Sequence, residues 1–158
     1  METPEVKMTV YNALNADNHA FRVYITWGGF LIIKMLLMSL LTGITRSRKN
    51  AFENPEDLAV NKAGEIKKDE DVERVRRAHM NDLENIPAFL FAALMYVMSN
   101  PHPIVAAWLI RVAVLARILH TIFYALYPLQ PFRSISWAIT LAITIFMIIW
   151  AIVMLFQI

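Results

Sequence analysis

The amino-acid sequence predicts an all-α integral membrane protein, a four-helix bundle, and three observations carry that prediction. The 158-residue chain is 58% hydrophobic and only 18% charged, more apolar than a soluble domain of this size can bury. Its apolar residues gather into four helical segments, about residues 23–44, 74–98, 104–127 and 135–157, each near the ~20 residues needed to cross a bilayer. The later segments are separated by proline-rich turns, Ser99-Asn100-Pro101-His102-Pro103 and Tyr127-Pro128-Leu129-Gln130-Pro131. Such clusters end one helix before the next begins. No internal repeat is visible, and one domain over residues 1–158 is expected.

Each segment has its own character. The first holds a single charge near its middle, Lys34, most simply a side chain that snorkels or that pairs with another helix. The second is apolar only over residues 86–98. It reaches spanning length by starting near Arg74, which draws Arg77, His79, Asn81, Asp82 and Glu84 into the helix. A charge exposed to lipid at mid-bilayer costs about 2.5–3.5 kcal/mol, so this polar half must face protein, water or a ligand. The third segment contains Arg111, Arg117 and His120, whereas the fourth has no ionisable side chain. Segments two and three are therefore the functional pair, and segment four serves packing and lipid contact.

The loop over residues 46–73 is charged with both signs and reads as solvated. Nine lysines and arginines lie within residues 46–77 and none in the turn between segments two and three. The positive-inside rule then puts the first loop in the cytosol, the second turn on the far side and the third turn, with Arg133, in the cytosol again. Both termini face away from the cytosol. Residues 1–19 are mixed and polar, so no cleavable signal peptide is expected and segment one acts as its own membrane signal. The basic residues form no exposed stripe, which argues against nucleic acid. The chain has no cysteine, which excludes disulfides, thiolate metal sites and a cysteine nucleophile; thiol chemistry must come from a bound small molecule. No metal-ligand spacing occurs, and no metal is expected.

The polar residues of segments two and three form stripes. Arg77, Asn81 and Glu84 are spaced i, i+4, i+7, with Arg76 and His79 on the adjoining face, and Arg117, His120, Thr121 and Tyr124 repeat the pattern. Two such stripes near the cytosolic ends of adjacent helices imply a polar cavity between them. Guanidinium groups suit carboxylates. Glu84 either receives an ammonium group or pairs with Arg77 or Arg117 as a structural ion pair. Asn81 and Tyr124 suit amides, and His79 taken alone reads as an interfacial side chain. A ligand with carboxylates, an ammonium group and peptide bonds fits this inventory.

The block Glu73-Arg74-Val75-Arg76-Arg77-Ala78-His79-Met80-Asn81-Asp82-Leu83-Glu84-Asn85 resembles the membrane-associated proteins in eicosanoid and glutathione metabolism, the MAPEG family. Companion blocks agree in order: Ile33-Lys34-Met35, Ala51-Phe52-Glu53-Asn54-Pro55-Glu56-Asp57, Ala116-Arg117-Ile118-Leu119-His120-Thr121 leading to Tyr124, and Gln130-Pro131-Phe132-Arg133. The resemblance covers nearly the whole chain after residue 20. Within the family it is nearer the microsomal glutathione transferase branch than the prostaglandin E synthase branch. Met80 stands where the latter places an arginine, while Pro128 and Gln130-Pro131 read as the transferase loop; Trp137, where the prostaglandin branch has a tyrosine, is a departure at the pocket wall. Pro87 falls one position before the family's helix-two proline.

The resemblance implies a left-handed four-helix bundle that assembles as a homotrimer in the endoplasmic reticulum membrane, surrounded by membrane lipid, with the mitochondrial outer membrane as a second location. It implies glutathione as co-substrate, held between subunits on the cytosolic side by Arg46, Arg76, Arg77, His79, Asn81, Glu84, Arg117, His120 and Tyr124. Arg133 would lie nearest the sulfur as the catalytic residue. The implied reaction is attack of glutathione thiolate on a lipophilic electrophile or a lipid hydroperoxide. Two alternatives stand beside it. One is a glutathione-dependent prostaglandin endoperoxide isomerase with Asp57, Arg133 and Ser134 as chemical residues. The other is a non-catalytic lipid-binding member, against which the retained arginine and glutamate set argues.

Overall fold

The computed structural model describes residues 10–156. Residues 1–9, with Lys7 and most of the first half of the polar N-terminal stretch, lie outside the described residues, as do residues 157–158 at the end of segment four. The elements run α1 (Val10–Ala13), α2 (His19–Lys49), β1 (Ala51–Phe52), α3 (Asp57–Val60), β2 (Glu65–Ile66), α4 (Glu70–Met98) and α5 (Pro103–Thr121). A π-helical turn, Ile122–Leu126, then leads to α6 (Gln130–Phe156).

The helix limits follow local chemistry. Asn18 caps α2, its side-chain oxygen accepting from the Ala20 and Phe21 amides, and Asn50 closes the helix in the left-handed region at φ 50°. Asp69 caps α4 in the same way, and Glu70, Asp71 and Glu73 place negative charge at the positive end of its dipole. These caps lengthen both helices, so the loop expected over residues 46–73 contracts to residues 50–69, and Arg46, Arg48 and Lys49 stand on α2. Gln130 and Pro131, read from the sequence as part of a turn, form the first turn of α6, where a proline's missing N–H is no loss.

The contracted loop is folded as well as solvated. Ala51 and Phe52 pair in parallel with Glu65 and Ile66 and are themselves buried. Ion pairs join the loop and its flanking helix ends, Arg46 to Glu53 at 3.1 Å and Lys49 to Asp71 at 2.5 Å.

Helix α2 packs against α4 and α5, and α6 packs against the same two, while α4 and α5 scarcely touch along their length. The two helices with the polar stripes are therefore diagonal in the bundle, which corrects the expectation that they are adjacent. Leu31, Ile86, Phe89, Ile110, Val114 and Met147 fill the centre. Ala92, Ala93, Ala106, Ala107 and Ala113 are also buried, and residues this small let backbones approach closely.

Outside, large apolar side chains are exposed on every long helix, among them Leu36, Phe91, Trp108 and Ile149. The three helices at residues 19–49, 103–126 and 130–154 are long and apolar enough to cross a membrane. Helix α4 is not among them because its first half is polar. With 29 residues at 1.5 Å each it is about 43 Å long, against a hydrocarbon core of about 30 Å. The excess over an untilted crossing is about two turns, which matches the polar character of its first half.

Candidate functional site

The polar residues of α4 and α5 meet at the centre of the bundle on Asp82, whose side chain has no exposed surface. Lys34 of α2 reaches its Oδ2 with Nζ at 2.5 Å, and Arg117 of α5 donates from Nη2 to its Oδ1, also at 2.5 Å. Thr121 Oγ1 lies 3.5 Å from Oδ2. Arg117 Nη2 also donates to Asn81 Oδ1 at 3.0 Å and to the Asn81 carbonyl at 3.4 Å. Three helices are thereby joined by one carboxylate. Desolvating such charges is costly, and pairing offsets that cost only in part, since Arg117 Nε and Nη1 are buried without a partner among the described residues.

Of the two readings of Lys34, helix pairing is the one observed. The structural pair of Glu84 with Arg77 or Arg117 is not: Arg117 pairs with Asp82, Arg77 approaches Glu70 at 3.7 Å, and Glu84 makes no ion pair among the described residues. Sequence reasoning missed Asp82 as the hub. A signal existed, since Asp82 and Glu84 are the only carboxylates within the four apolar segments and a mid-membrane lysine that pairs has only these two to choose from.

Beside this cluster lies a cavity of about 250 Å³ lined by Asn81, His120, Tyr124, Arg133, Ser134 and Trp137. The π-helical turn at the end of α5 carries Tyr124. Its extra residue per turn is closed by the Tyr127 amide bonding to the Ile122 carbonyl at 2.8 Å. The Tyr124 ring meets His120 edge-on at 5.5 Å between centroids, and the Arg133 guanidinium lies 4.5 Å from its centre on the ring face. A cation–π contact of this kind holds the charge at the cavity wall. His120 is buried and its Nδ1 has no hydrogen-bond partner. Such an atom is costly in a bundle core, and the residue that carries it lines the cavity. A larger hollow, about 540 Å³, lies on the outer face of α2 between Ser39 and Arg48; it is mostly apolar and holds none of the predicted residues.

The residues expected from the sequence thus fall into three groups. Asn81, His120, Tyr124 and Arg133 line the cavity. Arg117 is buried behind it. Arg76, Arg77 and Glu84 are exposed, His79 is half-buried, and Arg46 lies at the end of α2, paired with Glu53. Ser134, but not Asp57, joins the cavity. Arg76 bonds to Glu73 at 2.7 Å. Through those hydrogen bonds it holds the Glu73 carboxyl below the usual carboxylate range, as expected for an acid beside a cation on the solvent-side turns of α4.

The MAPEG family model matches residues 24–153. The human protein named microsomal glutathione S-transferase 1 is 42% identical over 137 residues, covering 83% of this chain and 88% of the relative. Its bovine counterpart is also 42% identical over the same shares. The human protein named prostaglandin E synthase is 36% identical over 130 residues, covering 81% of this chain and 85% of the relative. A family model that reaches across all four long helices, and relatives from two branches that cover most of the chain, agree with the polar constellation on α4, α5 and α6: the chain belongs to the MAPEG family.

Proposed function

We propose that the protein is a membrane-bound glutathione transferase that joins glutathione thiolate to lipophilic electrophiles, with reduction of lipid hydroperoxides as a related activity. One observation carries the reading: a cavity at the polar end of the bundle where Asn81, His120, Ser134 and Arg133 converge and no carboxylate stands in the wall. Such a wall favours an anion. A thiol has a pKa near 8.5 and is mostly protonated at neutral pH. A guanidinium beside the sulfur favours the thiolate, at about 1.36 kcal/mol per pKa unit. The sulfur lone pair then forms the new S–C bond while the electrophile's leaving group departs, or its adjacent atom takes the negative charge and a proton.

The same reading places three copies together in the endoplasmic reticulum membrane, α4 crossing as the fourth span. Ligand sites usually occupy about 300–1,000 Å³, so a cavity of about 250 Å³ suits only part of the tripeptide. Glu84, exposed on α4, would be costly against lipid. A neighbouring subunit over that face relieves the cost and brings Arg46, Arg76, Arg77, His79 and Glu84 to the ligand. Conjugation of glutathione to an aromatic electrophile by the detergent-purified protein is the direct test, and no turnover would reject the assignment. If Arg77 and Glu84 hold the ligand's charged groups, Arg77→Ala and Glu84→Ala each weaken glutathione binding by about 1.5–3 kcal/mol. Calorimetric titration of either folded variant with unchanged affinity would return that residue to the surface.

Ser134 beside Arg133 in the cavity keeps the prostaglandin endoperoxide isomerase as a second reading. Relative turnover of an aromatic electrophile and of the endoperoxide separates the two. On orientation, the loop 50–69 and the basic helix ends that flank it, with nine lysines and arginines over residues 46–77, face the cytosol and both ends of the chain face away. A glycosylation acceptor placed in that loop is expected to stay unmodified in microsomes, and efficient glycosylation would invert the topology.

A further inference from the structure

Asp82 does not line the cavity, yet one guanidinium ties it to the cavity wall. Arg117 Nη2 carries two hydrogens, and its two shortest contacts are with side-chain acceptors, Asp82 Oδ1 at 2.5 Å and Asn81 Oδ1 at 3.0 Å, with the Asn81 carbonyl farther off at 3.4 Å. A guanidinium only donates, so the Asn81 atom facing it has to be the carbonyl oxygen. The side-chain NH2 is the end left over. It makes no hydrogen bond among the described residues, and Asn81 lines the cavity. Asn81 and Asp82 are neighbours on α4 and project about 100° apart, one to the cavity and one to the bundle centre. Only a group from another helix can couple them, and Arg117 does so.

We infer that Asp82 is a positioning residue for the bound thiol peptide. By fixing the Arg117 guanidinium it fixes the Asn81 amide with its NH2 free for the cavity, where it donates to a carbonyl or carboxylate oxygen of glutathione. This rests on the reading of the cavity as a glutathione site. The terminal torsion of an asparagine is broad and roughly two-fold. Without the Arg117 bond, Asn81 presents its oxygen to the ligand as readily as its NH2, and an acceptor then meets an acceptor. Lys34 bonds the other carboxylate oxygen and so keeps Asp82 from turning away from Arg117.

The Lys34, Asp82 and Arg117 side chains carry a net charge of one, and the double variant Lys34→Met/Asp82→Asn preserves that net charge while removing the carboxylate. Measured against Lys34→Met alone, it is expected to raise the KM for glutathione about tenfold, the equivalent of one charge-assisted hydrogen bond. The kcat at saturating glutathione and the KM for the electrophile should stay within about twofold, because the loss lies in ground-state binding. In an Asn81→Ala background the added Asp82→Asn change should raise KM no further, since the two residues act in series. An unchanged glutathione KM, or the same tenfold rise in the Asn81→Ala background, overturns the inference and leaves Asp82 a folding residue alone. Should the double variant not fold, Asp82→Glu supplies the same test: it retains the charge but shifts the carboxylate by one methylene, and an unchanged KM again overturns the coupling. A parent protein that neither binds nor turns over glutathione overturns the reading of the site itself, and with it this inference.

Discussion

Replacing Asp82 alone with asparagine is expected to destabilise the protein by about 3–5 kcal/mol, the usual cost of leaving a buried charge without its partner. The carboxylate is fully buried between Lys34 and Arg117, and Arg117 has no exposed surface through which water can compensate it. An amide of the same shape leaves two cations facing each other with one neutral oxygen between them. Lys34→Met should cost less, because the Lys34 side chain is 16% exposed and its removal leaves the Asp82–Arg117 pair intact. Adding Lys34→Met to Asp82→Asn should therefore restore part of the loss by removing the surplus cation. Thermal unfolding in detergent measures all three variants on one scale. An Asp82→Asn loss below about 1 kcal/mol would mean that water reaches the cluster and that the charges are not desolvated.

The second large effect is kinetic. Arg133→Ala should lower the rate of conjugation at neutral pH by about 10²–10³-fold, the range seen when a preorganised electrostatic donor is removed from a reacting anion. Its guanidinium lies on the Tyr124 ring at the cavity wall, so the charge is held in place before any ligand arrives. Glutathione affinity should largely survive, because other groups hold the carboxylates. The bound thiol should lose its bias toward the thiolate, and raising the pH should recover part of the rate as solvent removes the proton instead. The sign follows from that cause: the variant's deficit is largest below the free thiol pKa near 8.5 and shrinks above it. Arg133→Lys should rescue only in part, since an ammonium lacks the planar face that stacks on a ring. Ultraviolet titration of the bound thiolate checks the cause directly. The same bound-thiol pKa in Arg133→Ala and in the parent would make Arg133 a loop residue and not a catalytic one.

The place of Arg133 at the cavity wall was legible in the sequence, through its position after Gln130-Pro131-Phe132 and the resemblance those residues carry. Asp82 as the hub was not, because the lone Lys34 in an apolar segment could either snorkel or pair with a carboxylate on another helix. Spacing along one helix assigns a side chain to a face, but it does not say which other helix meets that face. Glu84 and Asp82 were equally eligible partners until the bundle put Asp82 at its centre and Glu84 on its surface.

Helix existence was legible for the same reason that membrane proteins are readable at all: backbone groups without water must bond within their own segment, and side chains in lipid must be apolar. Those constraints act on each residue locally, and they set the helical class and the three strongest apolar spans. The caps Asn18, Asn50 and Asp69 were also local, yet they extend α2 and α4 beyond the apolar limits because polar residues continue a helix as well as apolar ones once it has begun. What only the tertiary structure decided is non-local. The diagonal placement of α4 and α5, the π-helical turn that presents Tyr124 to His120 and Arg133, and the capture of Arg117 behind the cavity all depend on packing between residues distant in the chain. A buried charge selects its partner by distance in the folded bundle, where the energy of a pair is decided by what else surrounds it, and no periodicity records that distance.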